Sequence, residues 1–283
     1  MLCPSTPNER YFAHVDWIVE KAIERGITPF VVPTWSRFIT QGYAGPPVLF
    51  DCESARSYGA FLGDRYPYLP KILGGDSNPI WTDPSKLHQQ FGAILSGTSS
   101  GAPEELPRYY TYDIIDAMAE GILSTETDLK PFLTYHPAAL WLHGSPIATS
   151  SGFFGDRSWL VLDGCQSGHA DLEWGGDLPF ESWKAMSSHI PITAMWTSTP
   201  TRPVIDLESH YEGMHNGLIA SNPKIWDGDD IRSGAWQSVR AVTLELLADL
   251  QVLSGACGVV YASNASWQMY DPDRAKRKYC SPR

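Results

Sequence analysis

Tyr68-Leu-Pro-Lys-Ile-Leu-Gly-Gly-Asp76 is an apolar run closed by two glycines and a carboxylate, and its reading decides the fold. A run of this length fits a short buried strand, and its last residue would then be thrown into a cleft. Gly74 and Gly75 suit such a place, because a backbone without Cβ atoms lets a ligand or a neighbouring strand come close. Arg202-Pro-Val-Ile-Asp-Leu-Glu208 has the same grammar far downstream. In a barrel of parallel strands, residues just past the C-terminal strand ends meet above the core. Asp76 and Glu208 would then face each other across a substrate, as the two carboxylates of glycoside hydrolysis must. The plainer reading of the same residues is a strand-to-helix turn, with Asp76 capping a helix and Glu208 a solvated rim charge.

Upstream, the periodicity predicts a helix over 54–66, a polar, glycine-rich loop over 36–47 and an unbroken apolar strand over 27–34. A run without alternation is what a strand covered on both faces looks like. Before it, Phe12, Val15, Ile18, Val19, Ala22 and Ile23 form one apolar helical stripe that Gly26 ends. Thr6-Pro-Asn-Glu9 reads as the capping box of that helix, with Pro7 at its first position. Downstream, 77–107 reads as a long loop with one helical turn over 86–95, and 109–123 as a helix with Ile114, Ile115, Met118 and Ile122 on one face. Strands follow at 131–136, 159–166, 203–208 and 256–261, a second glycine- and serine-rich loop runs to about Arg157, and helices fall at 180–189 and 231–253. The pattern is parallel α/β, with neither a repeat nor an interdomain linker in 283 residues.

Composition narrows the function. The hydrophobic share of 43% supports a sizeable core, and no apolar stretch is long enough for a transmembrane helix, so no membrane partner is expected. A formal charge of -11 argues against nucleic acid, whose phosphates need clustered Lys and Arg. Eleven Trp and thirteen Tyr supply many aromatic faces on which sugar rings stack, though cores use them too. The five cysteines form no CxxC or other metal-spaced cluster, and an odd number leaves at least one thiol free. Met1-Leu-Cys-Pro-Ser-Thr-Pro7 lacks the basic and apolar regions of a signal peptide, so the localisation stays open; the protein would be secreted if its true beginning lies further upstream. In that case Asn264-Ala-Ser266 is a glycosylation sequon beside the site.

Tyr11-Phe-Ala-His-Val-Asp-Trp-Ile-Val19, Val32-Pro-Thr-Trp35, Ile72-Leu-Gly-Gly-Asp76, Thr134-Tyr-His-Pro137, Gln166-Ser-Gly-His169, Pro203-Val-Ile-Asp206 with Glu208 and Tyr211-Glu212, and Trp267-Gln-Met-Tyr270 together resemble the apiosidase-like glycoside hydrolase family. The resemblance covers nearly the whole chain. It implies a (β/α)8 TIM barrel, with the general acid/base after the fourth strand, at Asp76, and the nucleophile after the seventh, at Glu208. It also implies that 1–283 is one catalytic-type domain holding strands three to eight, without the first two βα units and without a C-terminal β-domain. The strands at 27–34 and 256–261 would then be open edges. At the seventh strand the family commonly reads Asp-Gly-Glu-Pro, where this chain has Asp206-Leu-Glu-Ser209.

The expected chemistry is a retaining hydrolysis of plant or microbial polysaccharide, apiose-containing pectin being the family's known type of target. Glu208 attacks the anomeric carbon and Asp76 protonates the leaving oxygen, the two lying about 5–5.5 Å apart. For Asp76 to hold a proton near neutral pH, burial beside another carboxylate must raise its pKa. Asp206 reads as a residue supporting Glu208 or as merely structural, and Glu212 as a weaker nucleophile candidate. Tyr135, His136, Gln166, His169 and Tyr211 are candidate sugar contacts, or else polar residues of a barrel rim. Trp35 and Trp267 are stacking walls or core. His136, His169, His210 and His215 lack HxxxH-type spacing, so neither a metal nor another cofactor is expected. The competing reading is a truncated or degenerate fragment that binds carbohydrate at most.

Overall fold

Lys71–Gly74 (β1) is the strand its sequence predicts, and it lies parallel to Leu133–His136 (β4), with Lys71 opposite Leu133 and Gly74 opposite His136. Val31 bridges β1 on one side and Leu160 bridges β4 on the other, so four segments run parallel in one row. The computed structural model describes residues 6–35, 37–40, 48–75, 78–82, 108–125, 131–138, 148–167, 189–209 and 248–262. They fall into two units, Met1–Ala138 with Ser150–Leu162, and Ala139–Thr149 with Asp163–Arg283.

In the first unit the row of strands is backed by helices. Glu9–Ile23 (α1) packs Phe12 with Val15 and Val19 beside Leu62 of the next long helix and Tyr66, which caps its C-terminal end. A short helix, Arg37–Thr40 (α2), precedes that helix, Cys52–Arg65 (α3). Asp51 caps α3 in a reciprocal box: its carboxylate accepts the Ser54 N–H at 2.8 Å, and Ser54 Oγ accepts the Asp51 N–H at 3.1 Å. The helix Tyr112–Thr125 (α4) lies against α3 so closely that a Cβ at Gly59 would run into the Met118 carbonyl, and one at Gly121 into the Arg56 carbonyl. Ile115, Met118 and Ile122 of α4 join Leu73, Leu133 and Tyr135 in the main core. At the N-terminal end of β1 the fully buried Lys71 donates to the carbonyls of Tyr66 and Leu69 at 2.9 and 3.0 Å. Those bonds hold the turn at Tyr68, which has a positive φ of 72°.

The second unit pairs Asp163–Cys165 (β5) in parallel with Val204–Asp206 (β6). Against them lies His189–Trp196 (α6), whose Ile192 and Met195 share a small core with Cys165, Val204 and Ala256. Pro191 stands in the first turn of α6, where a missing N–H costs nothing.

Several expectations need correction. The α1 cap is Asn8, whose Oδ1 accepts the Tyr11 N–H at 3.2 Å; Thr6 and Pro7 lie outside the helix. Ile18 and Ile23 of the expected stripe are exposed. Over 27–34 only Val31 is bridged, and Ile27, Phe30 and Val32 are exposed, so the run is not covered on both faces. Pro29 and Pro33 lack the N–H groups that a regular ladder requires. The residues at 256–261 form no strand either, although the Cys257 N–H still reaches the Val204 carbonyl at 2.9 Å. Tyr109 and Tyr110, expected as the start of α4, instead belong to Arg108–Tyr110 (β3), which pairs antiparallel with Ile80–Thr82 (β2). Ser150–Phe154 (α5) is a helix inside an expected loop, because Phe154 has the aromatic cluster of Tyr112, Tyr135 and Trp159 to bury itself in. The expectations for 41–47, 86–95, 180–188 and 231–247 lie outside the described residues.

Candidate active site

At the C-terminal end of β1, Gly74 and Gly75 take φ values of +86° and +122°. Only glycine adopts these without strain. The space is closed as well: a Cβ on Gly74 would stand 2.6 Å from the His136 carbonyl and 2.7 Å from the Tyr135 ring, and one on Gly75 would stand 3.1 Å from the Trp35 indole. The Gly75 N–H donates to the His136 carbonyl at 3.0 Å, carrying the ladder one step past β1. Just beyond, the buried Asn78 accepts the Ala138 N–H at 2.9 Å, tying the segment after β1 to the segment after β4. Asp76 belongs to the short piece between these two ties and lies outside the described residues.

Trp35 is 39% exposed, and its indole stands beside Gly75. His136 Nδ1 stands 2.9 Å from the Pro137 carbonyl, a contact that requires the proton on Nδ1. Tyr135 has no exposed surface; its ring lies 4.7 Å from Phe154 and 6.4 Å from Phe153. Its place is the core behind Gly74.

In the second unit, Glu208 is buried two residues past the last residue of β6. Its backbone N–H donates to Asp206 Oδ1 at 3.3 Å, and the Leu207 N–H donates to the Cys165 carbonyl at 2.8 Å. Asp206 also accepts the backbone N–H and the hydroxyl of Ser167. Gln166 is only 4% exposed, and among the described residues its side-chain carbonyl oxygen has no hydrogen-bond partner. A buried acceptor left in that state is costly, and a ligand donor would relieve it. Burial pushes the Cys165 thiol well above its ordinary range, with Asp206 and Asp163 adding to the effect.

The structure thus brings Trp35, Gly75, Tyr135 and His136 together in the first unit, and Asp206 and Glu208 in the second. His169, Tyr211, Glu212 and Trp267 lie outside the described residues, as Asp76 does. Asn78, Ser167 and Gln251 escaped the sequence reading. Ser167 stood inside a motif already singled out and Asn78 two residues past Asp76, but Gln251 carried no local signal. Among the described residues no three His, Cys, Asp or Glu side chains cluster in a way that could hold a metal ion, and no helix is long and apolar enough to cross a membrane.

Solved glycoside hydrolases share this fold. A glycoside hydrolase family 5 protein from Bacteroides vulgatus ATCC 8482 superposes with a TM-score of 0.65 at 25% identity, covering 93% of this chain and 46% of its own. A second structure, described as a glycoside hydrolase, gives a TM-score of 0.61 at 24% identity, covering 93% and 47%. The chain therefore spans about half the length of the solved structures it matches. The chain belongs to the apiosidase-like family, whose catalytic domain matches residues 3–281. No curated protein sequence matches it.

Proposed function

We propose that this protein is a retaining glycoside hydrolase built on a (β/α)8 frame. Glu208 attacks the anomeric carbon while Asp76 gives its proton to the leaving oxygen; water then releases the sugar from Glu208, with Asp76 taking the proton back. The observation that carries this reading is the setting of Glu208, a buried carboxylate just past the C-terminal end of a parallel strand, with its backbone fixed by Asp206. The two glycines that deliver the chain to Asp76 have the same strand-end character. Trp35 supplies a stacking face, and Gln166 has an acceptor suited to a sugar hydroxyl. His136, His169, Tyr211 and Trp267 complete the contacts in this reading, with Glu212 flanking the nucleophile. Membership of the apiosidase-like family points to apiose-bearing pectic oligosaccharides as the substrate.

The test is sugar release from such oligosaccharides, with the first-formed anomer read by proton NMR. The expected anomer retains the substrate's configuration, and Glu208→Gln is expected to lower the rate by about 10³-fold or more, as loss of a nucleophile does. Activity that survives Glu208→Gln removes the nucleophile assignment. Asp76→Ala is expected to slow natural substrates far more than aryl glycosides with good leaving groups, and equal loss on both takes Asp76 out of the acid role. No turnover on either class of substrate would leave a carbohydrate-binding relative.

A further inference from the structure

The second unit holds a carboxylate whose partners the chemistry above leaves unused. Asp206 has no exposed surface, and three separate stretches donate to its oxygens. Ser167, after β5, gives its backbone N–H to Oδ1 at 3.2 Å and its hydroxyl to Oδ2 at 2.6 Å. Gln251, in the helical stretch 248–253, gives its side-chain amide to Oδ2 at 3.4 Å. The Glu208 N–H reaches Oδ1 at 3.3 Å. We propose that Ser167 and Gln251 are positioning residues for glycoside cleavage, holding the Asp206 carboxylate so that its turn fixes the direction in which Glu208 leaves the strand. This rests on Glu208 being the nucleophile.

The bond from Asp206 to the N–H two residues on is an Asx turn. Strand pairing does not require it. Backbone bonds already join β5 to β6, from the Asp163 N–H to the Pro203 carbonyl at 2.9 Å and from the Leu207 N–H to the Cys165 carbonyl at 2.8 Å. An ionisable side chain in a dry core costs free energy that an apolar residue would not. What a satisfied buried network gives in return is a single geometry. Here that geometry is the backbone at 207–208. Ser167 binds both carboxylate oxygens at once, so the carboxylate plane cannot turn, and Gln251 braces it from another element. A displacement of about 1 Å in a reacting group can cost about 100-fold in rate.

The experiment uses the 283-residue chain with 4-nitrophenyl apioside and with apiose-bearing pectic oligosaccharides. Ser167→Ala is expected to lower kcat by about 10- to 100-fold while KM moves less than about threefold. Ser167→Thr, which keeps the hydroxyl, should recover most of that loss. Gln251→Met, which removes the donor at similar volume, should act in the same direction and carries the comparison if Ser167→Ala does not fold. In Glu208→Ala, azide takes the nucleophile's place: its nitrogen bonds to the anomeric carbon as the bond to the aryl oxygen breaks and 4-nitrophenolate leaves with the electron pair. The aim of Glu208 no longer matters there, so adding Ser167→Ala or Gln251→Met should change the azide-supported rate by less than about twofold. A further loss in that background, or unchanged kcat in both single variants, overturns the positioning role. A Glu208→Ala protein that stays active without azide overturns the nucleophile reading instead. Absent turnover of both substrates by the unsubstituted chain overturns both.

Discussion

Gly74 and Gly75 carry two constraints at once, a backbone angle that other residues resist and neighbours that crowd a Cβ, with no room at Gly74 and a tight contact with Trp35 at Gly75. Gly26 carries only the first. It has φ +72° after α1, where the Ile27 N–H returns to the Ala22 carbonyl at 3.0 Å, and its missing Cβ faces open space. The difference is measurable by urea unfolding. Gly26→Ala is expected to cost about 1 kcal/mol, and Gly74→Ala about 2–4 kcal/mol, since overpacking adds to the left-handed strain. Equal costs would mean that the contacts with Tyr135 and His136 relax freely. The glycine pair was legible because adjacent glycines before a carboxylate imply a close approach. Which groups approach was not legible, since Trp35, Tyr135 and His136 come from other elements. Ser167 and Gln251 were hidden for the same reason: their partner Asp206 is adjacent only in space.

At the scale of elements, α1 is joined to α3 through Arg65. Its guanidinium binds both oxygens of Asp16, at 3.0 and 2.8 Å, reaches Glu9 at 2.8 Å, and lies 5.4 Å from the centre of the Phe12 ring. The Tyr66 hydroxyl also donates to Asp16, at 2.8 Å. The Arg65 bond, with help from Tyr66, holds the Asp16 carboxyl below its ordinary value of 3.8, although partial desolvation works against it. A depressed folded pKa means that the stabilisation is fully present above the unfolded value and is lost as the pH falls through the folded one. Asp16→Asn is therefore expected to cost under about 1 kcal/mol at neutral pH, as partly exposed pairs do, with the gap to the parent closing in strong acid as the pH falls below 3.8 through the lowered folded value. Urea unfolding of both proteins at the two pH values checks the sign; a gap that persists in acid would assign the effect to packing. Helices α1, α3 and α4 were legible because each carries an apolar stripe at helical spacing. The short α5 was not, because its glycine- and serine-rich surroundings in sequence hide one buried aromatic, Phe154, and a single fully buried anchor leaves no periodicity to read.

For the molecule as a whole, the alternation of apolar runs and helical stripes made an α/β chain legible, and the motifs spread along it made the apiosidase-like family legible. The misreading of 27–34 has a physical cause: a continuous apolar run looks the same whether it is covered on both faces or lies at an edge. In the first unit Val31 spends its N–H on the Pro70 carbonyl and its own carbonyl on the Ile72 N–H, at 2.8 and 2.9 Å, which uses one side of the segment. Phe30 and Val32 are exposed, and Phe30 meets the exposed Phe132 edge-on at 5.9 Å. Apolar side chains along an outer segment favour association with another chain, while Pro29 and Pro33 remove two of the donors a further strand would use. Association through this edge should therefore rest on side chains more than on backbone pairing. The 283-residue chain is expected to self-associate as its concentration rises, despite a net charge of -11. Val32→Lys and Phe30→Lys should each shift sedimentation toward the monomer, at a cost in unfolding free energy within about 0.5 kcal/mol because both positions are exposed. Association that is unchanged in both variants would place the contact elsewhere on the surface.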